Sequence, residues 1–270
     1  MPDRVSRIAL DIDGTLKDYG GVIDKKSIEL FLKHAHVGIV SSRADCHKIA
    51  GDLGLGYACC SGVDKPTKTD CLRDYASKYP VPAGSIYIAD LESDFKQAKD
   101  AGWNYINVND ICVNLGAGGD IQEGCMNIDV RALPGIDYVM DIEKEEIPLP
   151  DGSIKKVIMK DVLEHFSWRN VIDILKGIYA KMADGASIFI QTPDIEAIYE
   201  RVIKPKDFKG DFKYRFEAIS YWVGGGQDYP ENTHKSFWDI DAMIELLSAI
   251  GFKEIKCSNA GTNMICSAIK

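Results

Sequence analysis

Two aspartates, Asp11 and Asp13, follow a short apolar run, Arg7–Leu10, in the order Asp11-Ile12-Asp13-Gly14-Thr15. Ligands of open parallel sheets collect beyond the carboxyl ends of the strands, so acidic residues there fall where chemistry is expected. Neighbouring carboxylates can divide nucleophilic and acid–base work between them. Three further strand-like runs end in polar residues. Val37–Ser41 opens into Ser41-Ser42-Arg43, Tyr57–Cys60 is followed by Lys65 and Lys68, and Ser85–Ala89 ends at Asp90, with Asp94 one helical turn on. D-x-D-G-T alone would read equally well as a polar turn; the ordered set weakens that reading.

A second group begins at Ile111–Leu115, an apolar run that empties into Gly116-Ala117-Gly118-Gly119. Glycine permits the backbone to come close to a ligand and to take up left-handed turns, which is how α/β sheets open nucleotide sites. The next strand ends at Asp129, where a carboxylate could accept hydrogen bonds from ribose hydroxyls, and a third ends at Asp141. Ile154–Met159 opens into Lys160-Asp161-Val162-Leu163-Glu164-His165-Phe166, and Ser187–Ile190 ends at Thr192-Pro193-Asp194. His165 and His234 are the candidate bases for deprotonating an acceptor hydroxyl. Group transfer can also run on orientation alone, and a structural role for either histidine stays open.

These residues need elements to hold them. Amphipathic stretches at Ser27–Ala35, Asp45–Leu53, Thr67–Tyr79 and Phe95–Ala101 separate the first strands, a repeated β-α pattern. The spacing of Val171, Leu175, Ile178 and Met182 predicts the buried face of another helix. Between Asp194 and Asp239 lies the segment expected to select the substrate. Its basic residues (Lys204, Lys206, Lys209, Lys213, Arg215) interleave with Glu200, Asp207, Asp211 and Glu217, so a phosphate grip and a solvated mixed-charge surface both remain open.

Bulk properties narrow the classes. The 270 residues are 46% hydrophobic and 27% charged, ordinary for a globular protein. Up to Asn109 the chain carries 14 Lys+Arg against 15 Asp+Glu, and the remainder 18 against 26. An acidic second half argues against nucleic acid as the main partner. The eight cysteines form no C-x-x-C pair, which favours buried reduced thiols over a disulfide framework or a zinc site. There is no signal-type opening and no apolar run of roughly 18 residues, so a cytoplasmic location without membrane contact is expected.

With those residues in view, the segment over about residues 6–108 resembles the phosphatases of the haloacid dehalogenase superfamily. The resemblance implies Asp11 as a nucleophile that becomes an aspartyl phosphate and Asp13 as the acid and then base. Ser41 and Lys65 would hold phosphate oxygens, with Lys68 as the alternative lysine. Mg²⁺ would be held by Asp90 and Asp11, with Asp13 and Asp94 added. Neither the gap from Thr15 to Val37 nor that from Arg43 to Lys65 has room for a cap domain.

Residues from about 110 to 270 are similar to the class I S-adenosylmethionine-dependent methyltransferases. That resemblance implies a cofactor set of Gly116 and Gly118 on the methionine part, Asp129 on the ribose, Asp141 and Ile142 beside the adenine, and Asp161 at the following strand exit. Only about ten residues separate Leu115 from the strand entering Asp129, so the usual first helix is expected to be missing or reduced to a turn.

The expected fold class is α/β, as two tandem Rossmann-like three-layer domains over residues 1–109 and 110–270. The second should have a mostly parallel sheet with an antiparallel last strand. The expected function is dual: Mg²⁺-dependent phosphate monoester hydrolysis plus methyl transfer to a small molecule or glycan, with self-association left open. Two rivals remain. In one, only the methyltransferase turns over and the first domain is a lid or docking module. In the other, the protein modifies nucleic acid ends.

Overall fold

A computed structural model of the chain describes residues 5–270. Five strands, β1 (Ser6–Leu10), β2 (Ala35–Ser41), β3 (Tyr57–Cys60), β4 (Ser85–Ala89) and β5 (Asn104–Asn107), form one sheet in the order β3-β2-β1-β4-β5. All its pairs are parallel. Parallel neighbours require crossover connections. Helices α1 (Lys25–Phe31), α2 (Cys46–Asp52), α3 (Lys68–Lys78) and α4 (Glu92–Asp100) supply them. The first helix stops at Phe31 and Ala35 already belongs to β2, so the amphipathic pattern overran the helix by one turn. Between Thr15 and β2 lie only a short 3₁₀ turn and α1, and no inserted domain.

The second sheet holds β6 (Ile111–Leu115), β7 (Cys125–Asp129), β8 (Tyr138–Val139), β9 (Ile154–Lys160), β10 (Met182–Pro193), β11 (Lys253–Ala260) and β12 (Asn263–Ile269). Its order is β11-β12-β10-β9-β6-β7-β8. The β6-β7-β8 pairs are parallel, whereas β12 runs antiparallel to both β10 and β11. Helices α5 (Val171–Lys181), α6 (Ile195–Ile198), α7 (Arg215–Gly224) and α8 (Ile240–Ile250) complete it. The whole is an α/β fold with mostly parallel sheets. Sheet membership changes between Asn107 and Ile111, while the chain folds as two compact units: residues 1–156 with 181–183, and residues 157–180 with 184–270. Among the described residues no helix is long and apolar enough to cross a membrane.

All eight cysteines are bonded in pairs, which corrects the expectation of reduced thiols. Cys46–Cys60 and Cys59–Cys71 tie β3 to α2 and α3, each with Cα atoms 5.7 Å apart. Cys112–Cys125 joins β6 to β7, and Cys257–Cys266 joins β11 to β12. Close spacing in sequence is one way to bring sulfurs together; here strand and helix neighbours do it over 9 to 14 residues. Disulfides persist most readily in oxidising surroundings. Cys46 and Cys60 flank His47 as a three-donor cluster, but sulfurs bonded to each other are not thiolate ligands.

The first sheet packs an aromatic layer against Val40 and Leu72: Tyr57, Tyr75, Tyr87, Trp103 and Tyr105 are all buried. Tyr57 and Tyr75 stack at 4.1 Å, and both lie against Gly38, where an added Cβ would stand 2.9 Å from Tyr57 and 3.0 Å from Tyr75. Overpacking of this kind costs roughly 1–3 kcal/mol. Gly38→Ala should lower the unfolding free energy by about that amount in a denaturant titration.

Candidate active sites

In the first sheet, Asp11 leaves the end of β1 almost fully buried, and its Oδ2 accepts from the Lys68 ammonium at 2.6 Å. The same ammonium reaches Asp94 Oδ2 at 2.7 Å. Lys68 is the first residue of α3, whose start is fixed by a capping box between Thr67 and Asp70. The Cys59–Cys71 bond anchors the next helical turn. Burial alone would pull the Lys68 pKa down, but Asp11 and Asp94 outweigh it and hold the pKa above its ordinary value. The lysine at the carboxylates is therefore Lys68; Lys65 sits exposed in the preceding turn.

Ser41 is buried at the end of β2, where its hydroxyl accepts the Arg43 N–H at 3.4 Å. The Arg43 guanidinium pairs with Asp13 at 2.9 Å and also with Asp45. Asp13 is exposed. Gly14, at φ +66°, lies so close to Asp90 that a Cβ would stand 2.3 Å from its Oδ2. The D-x-D-G loop thus closes on Asp90. Lys68 holds Asp11 and Asp94 together, whereas Asp13 is drawn to Arg43.

The turn after β6 has Gly116 at φ +65° and Gly118 at φ +51°, conformations that glycine adopts without penalty. Asp129, buried at the end of β7, accepts the Gly118 N–H through Oδ2 at 2.8 Å. Its Oδ1 accepts the Arg131 backbone N–H at 2.9 Å and the Arg131 side chain at 3.2 Å. Asp141 pairs with Lys144 at 2.6 Å and caps the Glu143 N–H, with Ile142 half-buried beside it. No helix follows the glycine turn before β7.

What holds the loop instead is a buried polar network. Asn114 donates to the Asp120 carbonyl at 2.7 Å and to Asn127 Oδ1 at 3.0 Å, and Gln122 donates its N–H to the same oxygen. Beneath them, Asp137 Oδ2 accepts from the Asn127 N–H, from Asn127 Nδ2 and from Asn104 Nδ2. Burial raises the Asp137 pKa to about 6 despite these donors. The amide residues were not singled out in sequence, since Asn and Asp at strand ends usually serve turns.

In the second compact unit, Asp161 directly follows β9 at φ +50°, a strained setting for a residue with a side chain. Its carboxylate accepts from Gln191 Nε2 and from Asn263 Nδ2, both at 2.9 Å. Burial raises its pKa. Glu164 is buried, accepts from the Thr192 hydroxyl at 2.9 Å, and has its pKa raised to about 8 by burial. The His165 and His234 rings stand 5.2 Å apart. Burial, with His165 nearby, lowers the His234 pKa. In the basic segment Lys204 pairs with Glu200 one turn away, and part of the expected loop is helix α7.

Residues 112–256, just over half of the chain, match the family model described as a methyltransferase domain, and the chain belongs to that family. No curated protein matches it. Similar solved structures include a SAM-dependent methyltransferase from Archaeoglobus fulgidus, 14% identical over 60% of this chain and 86% of that one, with a TM-score of 0.41. A 1,6-didemethyltoxoflavin-N1-methyltransferase from Burkholderia thailandensis is 13% identical over 59% and 70%, at 0.39. Phosphoethanolamine N-methyltransferase 2 from Haemonchus contortus is 11% identical over 60% and 49%, at 0.38.

The Asp137 network carries a pH signature. A carboxyl whose folded pKa is raised from near 4 to about 6 binds its proton more tightly in the folded state. Its contribution to stability is therefore full below pH 4 and is lost as pH rises through 6, a change of about 3 kcal/mol. Comparing unfolding free energies of the wild type and Asp137→Asn from pH 4 to 7 should show their difference shifting by that amount, and levelling off above pH 7.

Proposed function

We propose that this chain is an S-adenosylmethionine-dependent methyltransferase acting on a small molecule or glycan-type acceptor. The observation that carries the reading is the glycine turn after β6 bonded to Asp129 at the exit of β7, together with membership of the methyltransferase-domain family. The bound donor supplies an electrophilic methyl group on sulfur. Gly116 and Gly118 bring bare backbone N–H groups to its methionine portion. The Asp129 carboxylate accepts from the ribose hydroxyls, releasing the Arg131 and Gly118 donors it holds in the free protein. Asp141 and Ile142 flank the adenine. Asp161 orders the exit of β9, and His165 and His234 are the acceptor-side groups.

We further propose phosphate monoester hydrolysis at the first sheet, supported by the Lys68 ammonium bound to Asp11, with Asp90 against the Gly14 turn and Ser41 at the end of the strand beside β1. Asp11 attacks phosphorus and becomes the aspartyl phosphate. Asp13 protonates the departing alcohol and then takes a proton from the attacking water. Lys68 and Ser41 hold the phosphoryl oxygens in place. Mg²⁺, held by Asp11 and Asp90, would neutralise charge on the phosphoryl group. The open rim without a cap suits a bulky substrate, such as a phosphorylated sugar or glycan end.

Calorimetric titration with S-adenosylhomocysteine should show binding to the wild type and at least about tenfold weaker binding to Asp129→Ala, the scale for losing charged hydrogen bonds. Equal affinity in the two would remove Asp129 from the donor site. With Mg²⁺ and an aryl phosphate, Asp11→Asn should lose at least about a thousandfold in rate. A wild-type rate no higher than that of Asp11→Asn would leave methyl transfer as the sole activity.

A further inference from the structure

We propose that Glu164, His165 and His234 form a binding site for a first-row divalent metal ion such as Zn²⁺, Mn²⁺ or Co²⁺. One donor atom from each residue lies within 4.8 Å of the others. Ligands around one such ion at about 2.0–2.2 Å stand roughly 3–4 Å from each other, so small rotamer shifts close the set. Two imidazoles and one carboxylate are a borderline donor set that favours these ions over Mg²⁺ or Ca²⁺.

The surroundings are built as metal sites are built. His165 Nδ1 faces the Thr233 carbonyl at 3.2 Å, and His234 Nδ1 faces the Val223 carbonyl at 3.1 Å. A carbonyl accepts only, so each Nδ1 carries the proton, and each Nε2 presents its lone pair as the ligand. His165 Nε2 stands 3.9 Å from Glu164 Oε1. The other oxygen, Oε2, accepts the Thr192 hydroxyl, which fixes the carboxylate plane as outer partners of ligands do.

The two chain segments are also held against each other. The N–H groups of Lys235 and Ser236 both donate to the Glu164 carbonyl, at 2.7 and 3.1 Å, and the Ser236 hydroxyl donates to Leu163 O. Gly225, at φ +80°, makes room for the second histidine: a Cβ there would come within 2.9 Å of the His234 ring. Glu164 is 2% exposed, and a bound cation would offset the cost of burying its charged form. A three-ligand site leaves positions open for water or another oxygen ligand. Metal binding itself does not depend on methyl transfer.

Co²⁺ titration of the chelator-treated full chain tests this by its visible ligand-field absorption. It is done in an Asp11→Asn background so that the acidic cluster of the first sheet does not compete. One equivalent should bind, be displaced by Zn²⁺, and weaken at least about tenfold in His234→Ala, His165→Ala and Glu164→Gln. Gly225→Ala should weaken it as well, through displacement of His234. In unaltered protein, Zn²⁺ should protect His165 and His234, and none of the other three histidines, from diethylpyrocarbonate. That readout does not rely on any variant folding. Equal Co²⁺ affinity across folded variants, no binding after chelation, or protection at His34, His36 or His47 instead would overturn the assignment.

Discussion

The constraint on which the methyltransferase half depends is the burial of Asp137 beneath the glycine turn. Its single oxygen gathers three donors, two from Asn127 and one from Asn104. Asn127 in turn fixes Asn114 and Gln122, whose partners are the loop itself. A glycine loop is normally steadied by the helix that follows it, whose first N–H groups also attract anions. Here that helix is absent, and side-chain amides do the positioning. Fully satisfied buried networks of this kind rigidify, whereas a missing member leaves several groups unpaired at once.

The same logic places the other polar clusters. In the first sheet, Asp11, Lys68 and Asp94 put two negative charges and one positive charge in a setting nearly closed to water. Pairing makes burial tolerable. In the second unit, Glu164 has a hydroxyl donor and two imidazoles beside it. Each cluster sits where a strand ends, since there backbone groups have run out of sheet partners and side chains can converge.

Much of this was legible in the residue order. The apolar runs ending at Leu10, Ser41, Ala89, Leu115 and Asp129 are strands with those same C-terminal limits, because a parallel strand buried on both faces is nearly continuous in hydrophobic residues. The loss of the helix after Gly118 followed from chain length alone. The disulfides were not legible, because their partners meet only once the sheet register is set: Cys257 lies opposite Cys266, and Cys112 beside Cys125. The choice of Lys68 over Lys65 depended on where the capping box begins α3. The Asn104–Asp137 contact spans 33 residues and leaves no local pattern.

The central claim is that the turn at residues 116–120 is where the methyl donor lies. Hydrogen exchange of the backbone amides, followed by mass spectrometry with and without S-adenosylhomocysteine, reads that loop directly. Slower exchange is expected on ligand addition across 116–120 and at Asp129, with the segment around Asp11 to Thr15 unchanged. Unaltered exchange at 116–120 under saturating ligand, with protection arising elsewhere, would contradict the claim.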